Sequence, residues 1–269
     1  MTKFSVLISV YINENPNFLK TALDTIFNQT LEPTEVVLIK DGLLNKALDS
    51  VIEDYSFRYK NMKVYGYNEN RGVGYALNFG LKKCKYDLII RCDSDDINIL
   101  NRFEYQIRHL KNSDYAVISS NIEEFNYTPG DLNRFRKLPQ FDKNIQKYKL
   151  TRNPFNHMSV AFKKSLIIER GSYISMPGYE DYYLWLRVLG KYKGYNMQNT
   201  FVHARVGNDM IGRRQGCDFI KKEFRFQKQI LNDGIISEFQ FFLNMLSRVI
   251  PRLLPKTILK LFYKLFLRQ

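Results

Sequence analysis

The residues most suited to chemistry form an acidic run, Asp93-Ser94-Asp95-Asp96, which closely follows the apolar residues 88–90. Three carboxylates in four residues repel one another unless solvent or a cation lies between them. Mg²⁺ and Mn²⁺ take oxygen ligands and keep coordination positions open for phosphate oxygens. The alternative is a solvated turn, because aspartate commonly caps the start of a helix. The pattern favours a divalent cation site.

Two further polar groups stand at the ends of predicted strands. Tyr11 to Glu14 come at the end of the strand predicted over residues 4–12, and Lys40-Asp41-Gly42 follow the strand predicted over residues 35–39. Open parallel sheets bind ligands beyond the carboxyl ends of their strands. We therefore expect these two groups and the acidic run to lie together at one edge of a sheet.

The run Asn70-Arg71-Gly72-Val73-Gly74 opens a predicted helix. It is not a dinucleotide loop, because Leu77 stands where a third glycine would be required and the run follows the wrong strand. The sequence also contains no GxxxxGK[ST] motif. Glycines at a helix N-terminus let backbone amides approach a phosphate or a nucleoside. The alternative is a tight turn without a ligand.

Glu180-Asp181 begins a predicted helix that is rich in aromatic residues. A carboxylate there acts either as a helix cap or as a general base beside a substrate hydroxyl. His157, His203 and Arg205 are further candidate site residues. A single histidine serves structure as often as chemistry, so both interpretations stay open.

Strands and helices alternate through the first 120 residues, which predicts an α/β fold with a mostly parallel sheet flanked by helices. Residues 120–153 are polar and basic, and we expect loops with short elements there. The predicted strands cover residues 4–12, 35–39, 63–67, 86–91 and 115–119, and the predicted helices cover residues 16–29, 44–57, 72–83 and 99–111.

Basic residues recur every four positions near the C-terminus, at Arg248, Arg252, Lys256, Lys260, Lys264 and Arg268. At that spacing, side chains stay close to one face of a helix. We expect Pro251 and Pro255 to divide the region into two helices. Such helices bind an anionic membrane surface, or pack on the domain with a solvated basic face. Nucleic-acid binding is disfavoured because no recognised motif accompanies the charge.

Bulk properties agree with a folded protein that meets an acidic partner. The chain has 269 residues, 45% of them apolar, and a net charge of +14. The start of the sequence is too polar for a signal peptide, and no run of eighteen apolar residues is present. Three cysteines without a CxxC pair suit reduced thiols. We therefore expect a cytoplasmic protein.

The ordered set of motifs resembles the family 2 glycosyltransferases of the GT-A fold. The motifs are Lys40-Asp41-Gly42, Asn70-Arg71-Gly72 with Ala76-Leu77-Asn78, Asp93 to Asp96, and Glu180-Asp181 with Leu184 and Arg187. Residues 153–157 (NPFNH) and 202–208 (VHARVGN) resemble bacterial exopolysaccharide and O-antigen enzymes of the amylovoran type. The resemblance covers roughly residues 4–215. It implies a GT-A domain over residues 1–232, with a nucleotide-binding half (1–120), an acceptor and catalytic half (121–232), and a basic helical tail (233–269).

The resemblance also implies roles for individual residues. Asp181 would be the catalytic base, with Glu180 as the alternative, and Asp95 with Asp93 would bind the metal. The donor nucleotide would be held by Tyr11, Glu14, Asp41, Asn70, Arg71, Asp93 and Ser94, and the diphosphate or metal would be assisted by His203, Arg205 and His157. The family commonly has a second aspartate where this sequence has Lys40, so no acidic role is expected at that position.

The implied activity is an inverting, Mn²⁺- or Mg²⁺-dependent transfer from a nucleotide sugar, with UDP favoured. The acceptor would be a polyprenyl-diphosphate-linked saccharide or another glycan in bacterial surface polysaccharide synthesis, at the inner face of the cytoplasmic membrane. One alternative is a sugar nucleotidyltransferase, although its glycine-rich basic N-terminal loop is missing. The other is a catalytically silent nucleotide-sugar-binding module, against which both Asp95 and Asp181 argue.

Overall fold

The computed structural model describes residues 2–207 and 217–253, and of residues 217 and 250–253 it describes the backbone alone. Several residues named above therefore lie outside the described part of the chain. They are Asn208, Pro255 and the basic residues Lys256, Lys260, Lys264 and Arg268. The tail beyond residue 253 stays a prediction.

The first half of the chain is the predicted parallel sheet with its helices. Neighbouring strands run in the order β3-β2-β1-β4, and all three pairs are parallel. The strands are β1 (Ser5–Val10), β2 (Glu35–Asp41), β3 (Met62–Tyr67) and β4 (Leu88–Cys92), and the helices are α1 (Pro16–Phe27), α2 (Lys46–Arg58), α3 (Val73–Lys83) and α4 (Arg102–Lys111). The predicted α/β architecture is confirmed.

Local sequence explains where these helices begin and which face they bury. The Asn15 side chain accepts a hydrogen bond from the Asn17 amide at 2.9 Å, and Pro16 occupies the first turn of α1. In α3, Gly80 lies so close to the sheet that a Cβ atom there would stand 2.3 Å from Leu7 Cδ1. Helix α3 therefore packs directly on β1, and its N-terminus is held near the carboxyl ends of the strands.

The second half extends the same sheet with strands of mixed direction. The order continues β4-β8-β6-β9-β5, with β7 paired to β6. β8 is antiparallel to both β4 and β6, whereas β6 and β9 are parallel. These strands are β5 (Ile97–Asn98), β6 (Tyr115–Phe125), β7 (Arg134–Arg136), β8 (Ala161–Lys163) and β9 (Lys193–Arg205).

Strand β6 corrects the expectation of loops after residue 119. Its second part contains polar residues that are buried and hydrogen-bonded. Polar composition is typical of loops, so the sequence did not indicate a strand there. Ser119 Oγ lies 2.9 Å from Ser159 Oγ, and Asn121 Nδ2 donates to the Gln198 carbonyl at 2.7 Å. Buried polar groups are tolerated in a strand when such partners are present.

The remaining helical elements all lie in the second half of the chain. They are α5 (Asp142–Tyr148), a 3₁₀ turn (His157–Ser159), α6 (Lys164–Glu169), α7 (Glu180–Val188), α8 (Cys217–Asn232) and α9 (Glu238–Leu253). Tyr179, which precedes α7, stacks on Phe226 of α8 with ring centroids 4.5 Å apart. Within the described ranges, no helix has both the length and the apolar character needed to cross a membrane.

Helix α9 packs on the domain, which changes two expectations about the tail. Arg248 pairs with the buried Glu223 of α8 at 2.6 Å, and Asn244 Nδ2 donates to the Leu150 carbonyl at 2.8 Å. Arg248 therefore does not belong to a lipid-facing row. The expected break at Pro251 is also wrong, since α9 continues to Leu253. A proline removes its own backbone amide hydrogen bond, and here that loss does not end the helix.

Candidate active site

The acidic run lies beyond the end of β4, and its carboxylates converge. Oxygen atoms of Asp93, Asp95 and Asp96 all lie within 4.8 Å of one another. Asp96 is buried, its Oδ1 accepts the Arg205 amide at 2.8 Å, and its Oδ2 has no hydrogen-bond partner among the described residues. A buried carboxylate oxygen with free lone pairs, close to two other carboxylates, fits a hard divalent cation.

The electrostatics of this turn agree with that fit. Burial, together with the carboxylates of Asp93 and Glu14, raises the pKa of Asp95 to about 7. Burial, followed by the charges of Asp93 and Asp95, also raises the pKa of Asp96 well above its usual value. Crowded carboxylates of this kind are stabilised in their charged form by a cation. Asp96 thus lies with Asp93 and Asp95, the two residues predicted from the sequence as metal ligands.

Arg91 is a site residue that the sequence analysis missed. Its buried guanidinium pairs with Asp93, while Nε and Nη1 find no hydrogen-bond partner within the described structure. Burial raises the pKa of Asp181, and the Arg91 charge opposes that rise. Burial lowers the pKa of His157, and the Arg91 charge lowers it further. The available signal was a single charged residue at the end of the apolar run 88–90. Arg91 therefore lies between the acidic turn and the candidate base.

Asp41 anchors the loop that carries Asn70 and Arg71. Its Oδ1 accepts Tyr67 Oη and the Arg71 amide, each at 2.8 Å, and its Oδ2 accepts the Gly72 amide at 3.0 Å and Asn70 Nδ2 at 3.1 Å. The two amides considered for a phosphate are thus bound by Asp41 instead. Gly72 has φ +85°, which suits glycine at this position.

The residues after β1 meet the acidic turn. Glu14 Oε2 accepts a hydrogen bond from Ser94 Oγ at 2.5 Å, and its Oε1 accepts the Asn15 amide at 2.8 Å. Tyr11 begins the same turn, where its carbonyl accepts the Glu14 amide at 3.1 Å, and its ring is exposed. The predicted meeting of the β1 and β4 ends is therefore present in the structure.

Asp181 and Glu180 have different surroundings at the start of α7. Asn153 Nδ2 donates to Asp181 Oδ2 at 2.7 Å. Burial raises the pKa of Asp181, and its hydrogen bonds and the charge of Arg136 oppose that rise. Glu180 instead accepts the Gly178 amide at 2.9 Å, as a local cap does. Burial raises the pKa of Glu180 as well, so the pKa does not separate the two carboxyls. Glu180 is engaged in the local cap, which leaves Asp181 as the better-placed candidate for a general base.

The two histidines differ in their surroundings. His157 packs between the rings of Tyr173 and Trp185, with centroid distances of 5.6 and 5.8 Å. Burial, aided by Arg91, lowers the pKa of His157 well below its usual value, so the ring is neutral and brings no positive charge to a diphosphate. His203 Nδ1 lies 2.6 Å from Glu123 Oε2, and the sequence analysis did not identify Glu123 as its partner.

Arg205 is tied directly to the acidic turn. Its Nε donates to the Asp95 carbonyl at 3.2 Å, and its Nη1 donates to the Asn126 carbonyl at 2.9 Å. The guanidinium carbon lies 3.7 Å from the ring centroid of Phe18 and 4.4 Å from that of Phe125. The end of β9 thereby places a fixed positive charge beside the acidic turn.

These groups meet at one edge of the sheet, and comparison with known proteins identifies the family. The family model described as Glycosyl transferase family 2 matches residues 5–170. The chain belongs to glycosyltransferase family 2. It is therefore an enzyme of the glycosyltransferase class, as the resemblance implied.

Two relatives are similar over nearly the whole chain. The Escherichia coli protein named UDP-Gal:alpha-D-GlcNAc-diphosphoundecaprenol beta-1,3-galactosyltransferase is 42% identical over 252 residues, which are 93% of this chain and 91% of that protein. The amylovoran biosynthesis glycosyltransferase AmsE of Erwinia amylovora is 34% identical over 92% of this chain and 94% of its own length. The predicted likeness to the amylovoran type is confirmed.

Solved structures confirm the GT-A fold. S. aureus TarS 1-349 in complex with UDP-GlcNAc superimposes with a TM-score of 0.70 at 17% identity, covering 95% of this chain and 77% of that one. The mannosyltransferase PcManGT of Pyrobaculum calidifontis, in complex with GDP-Man and Mn²⁺, gives a TM-score of 0.65 at 15% identity, covering 91% and 68%. At these identities the likeness concerns the fold.

The Asp41 anchor gives a direct prediction. In Asp41→Asn, an amide nitrogen replaces one carboxylate oxygen, and this nitrogen cannot accept a hydrogen bond. The backbone amide of either Arg71 or Gly72 therefore loses its partner. Hydrogen exchange at these amides should become about 10- to 100-fold faster, as expected for the loss of a charge-assisted bond. Asp54→Asn, which removes an exposed pair with Arg58, is the control. Unchanged protection of the Arg71 and Gly72 amides would contradict the anchor.

Proposed function

We propose that this enzyme transfers a sugar, with inversion, from a UDP-sugar to a polyprenyl-diphosphate-linked saccharide in surface polysaccharide synthesis. The observation that carries the proposal is the position of Arg91. It pairs with Asp93 of the acidic turn and lies close enough to Asp181 for their charges to interact. Donor-phosphate and acceptor-activating groups are thus close together. The name of the E. coli relative, a UDP-Gal enzyme acting on a diphosphoundecaprenol saccharide, supports both substrate classes.

The nucleoside would lie against the loops at the ends of β1 and β2. Tyr11 offers an exposed ring after β1, and Arg71 offers a half-exposed guanidinium in the loop after β3 that Asp41 anchors. Asp41 and Asn70 would shape this side of the site through the anchored loop. Glu14 and Ser94 would join it to the ribose and the donor sugar beside Asp93. The TarS complex with UDP-GlcNAc supports a UDP donor on this fold.

The acidic turn would hold the metal ion, with Asp95 and Asp93 as ligands and Asp96 as an additional one. A bound Mn²⁺ or Mg²⁺ supplies Lewis-acid stabilisation of the negative charge on the departing diphosphate. Arg205 would add a fixed positive charge to the same region through its contact with Asp95. His203, oriented by Glu123, and the neutral ring of His157 would assist as hydrogen-bonding groups or ligands. The PcManGT complex with Mn²⁺ supports a metal on this fold.

Asp181 would act as the base. The acceptor hydroxyl oxygen attacks the anomeric carbon as its proton passes to the Asp181 carboxylate, and the bond from that carbon to the diphosphate oxygen breaks on the opposite face. The products are the glycosylated acceptor and a nucleoside diphosphate. Holding both substrates together also provides proximity. The raised pKa of Asp181 brings its basicity closer to that needed near neutral pH.

Two other functions would release different products. A sugar nucleotidyltransferase would form a nucleotide sugar and pyrophosphate, and a silent binding module would release nothing. Incubation with a panel of nucleotide sugars and a lipid-linked acceptor, reading nucleoside-diphosphate release and acceptor mass, separates all three. Acceptor-dependent release from a UDP-sugar supports the proposal, and pyrophosphate formation or no turnover with any donor overturns it.

The metal role predicts a dependence on divalent cations. EDTA should abolish transfer, and Mn²⁺ or Mg²⁺ should restore it. Asp95→Ala should lose activity because it removes one ligand from the converging carboxylates. Asp114→Ala, which breaks an exposed pair with Lys193, should behave like wild type. Full activity of Asp95→Ala in the presence of chelator would sink the metal assignment.

The base role predicts that Asp181→Asn loses at least about 10²-fold in turnover, the typical contribution of a general base. Nucleotide binding should survive, because the shape of the side chain is preserved. The base must be ionised, so wild-type activity should fall as the pH drops through the raised pKa of Asp181. Glu180→Gln is the matched variant. If Asp181→Asn stays near wild type while Glu180→Gln is inactive, the wrong carboxylate has been assigned.

Membrane association at the inner face of the cytoplasmic membrane would bring the enzyme to such an acceptor. Helix α9 exposes apolar side chains next to the basic tail, including Phe239 at 72% and Phe242 at 57%. Leu243 and Leu246 are also exposed on this helix. The basic residues of the tail other than Arg248 would each contribute about 1 kcal/mol near an anionic surface. Apolar and charged contacts together suffice for peripheral binding.

The membrane role predicts weaker vesicle binding when the apolar face of α9 is removed. In the full chain, Phe239→Ser with Phe242→Ser should reduce sedimentation with anionic vesicles and slow transfer to a lipid-linked acceptor. Phe57→Ser, a 77% exposed phenylalanine on α2, is the control and should change neither. Truncation after Leu253 tests the basic tail while keeping the contacts of α9 with the domain. Vesicle binding that equals wild type in both variants would mean that the C-terminal region serves structure alone.

A further inference from the structure

The segment Asn153-Pro154-Phe155 holds the candidate base in one defined orientation. Asn153 Nδ2 donates to Asp181 Oδ2 at 2.7 Å, while Asn153 Oδ1 accepts the Phe155 amide at 3.3 Å. A carboxylate accepts and a backbone amide donates, so both contacts require the same orientation of the asparagine amide. A flip of that amide would lose both hydrogen bonds at once.

The segment itself is firmly held. The residue before a proline is restricted to extended conformations, which limits Asn153. Arg136 Nη2 donates to the Asn153 carbonyl at 3.3 Å. Phe155 is buried and meets Trp185 edge-to-face, with ring centroids 5.6 Å apart. Trp185 and Asp181 are four residues apart and therefore share one face of α7. One rigid segment thus contacts α7 at two successive turns.

We propose that Asn153 is a positioning residue, which fixes one oxygen of Asp181 so that the carboxylate meets the acceptor hydroxyl in a single orientation. This inference rests on the proposed role of Asp181 as the base. A base that is oriented by a third group is the arrangement found in activated nucleophile systems. Asn153 neither gains nor loses a proton during transfer, so the reaction balance is unchanged.

The neutral amide also suits the charges around Asp181. Burial raises the pKa of this carboxyl, and the hydrogen bond from Asn153, the charge of Arg136 and the charge of Arg91 lower it. The charges of Arg91 and Asp181 both act on the Tyr173 hydroxyl, so Tyr173 lies close to both residues. A lysine or arginine in place of Asn153 would add a third cation and weaken the base. An amide orients the carboxylate and keeps its basicity.

The test is steady-state kinetics of Asn153→Ala and Asn153→Asp across a range of pH. Asn153→Ala should lower kcat by about 10- to 100-fold, as expected for a lost hydrogen bond to a charged group, with the donor KM little changed. The acidic limb of the pH profile should move to higher pH. Asn153→Asp should move it further, because a second carboxylate opposes ionisation of Asp181.

A structural control and a double variant complete the experiment. Asn61→Ser removes the hydrogen bond from Asn61 Nδ2 to the Pro33 carbonyl, outside the segment around Asn153, so it should lower thermal stability and leave the acidic limb in place. In an Asp181→Asn background, Asn153→Ala should add little further loss. If Asp181→Asn is impaired but Asn153→Ala keeps the wild-type kcat and acidic limb, Asn153 has no positioning role. If Asp181→Asn itself is fully active, the proposed base is wrong, which is a separate result.

Discussion

The buried ion pair between Arg91 and Asp93 is the contact on which the site depends. An isolated charge in a protein interior costs several kcal/mol, and three crowded carboxylates add mutual repulsion. Arg102 lies beneath the same turn, fully buried, and donates to the Arg91 carbonyl at 2.8 Å and to Gln106 Oε1 at 2.9 Å. The two buried guanidinium groups of Arg91 and Arg102 thus offset the negative charge of the acidic turn, which the proposed cation would offset further.

The mixed direction of the sheet is what completes this arrangement. The parallel strands β1 and β4 deliver Glu14 and Asp93 to one edge, but a parallel sheet alone would leave the carboxylates without Arg205. β8 runs antiparallel between β4 and β6, and β9 then runs parallel to β6 through to Arg205. Ile97, two residues after Asp95 in the chain, pairs with His203, and this pairing holds the end of β9 next to the acidic turn. Basic groups from the second half therefore meet acidic groups from the first.

The first half of the fold and its strand-end residues could be predicted because their signals are local. Apolar runs define β1, β2 and β4, and turn residues such as Gly42 mark their ends. The second half could not be predicted as well, since Ser119 and Asn121 are buried only because distant residues supply their partners. The pairing of Asn153 with Asp181 spans 28 residues, so spacing alone carries no trace of it. The sequence likewise shows Arg248 as one of a row of basic residues. In the structure its guanidinium pairs with Glu223, so it does not belong to a basic surface.

The buried polar residues of the second half have a purpose that apolar packing would not serve. Ser159 Oγ accepts the Ser120 amide at 3.1 Å, and Asn156 Nδ2 donates to the Ser120 carbonyl at 2.8 Å. These directional bonds fix the segment that leads from Asn153 to the 3₁₀ turn against β6. Apolar contacts permit sliding by fractions of an ångström, whereas a satisfied polar network specifies one arrangement. Because Asn153 must reach Asp181 within hydrogen-bond distance, the network beneath the segment sets the precision with which the base is held.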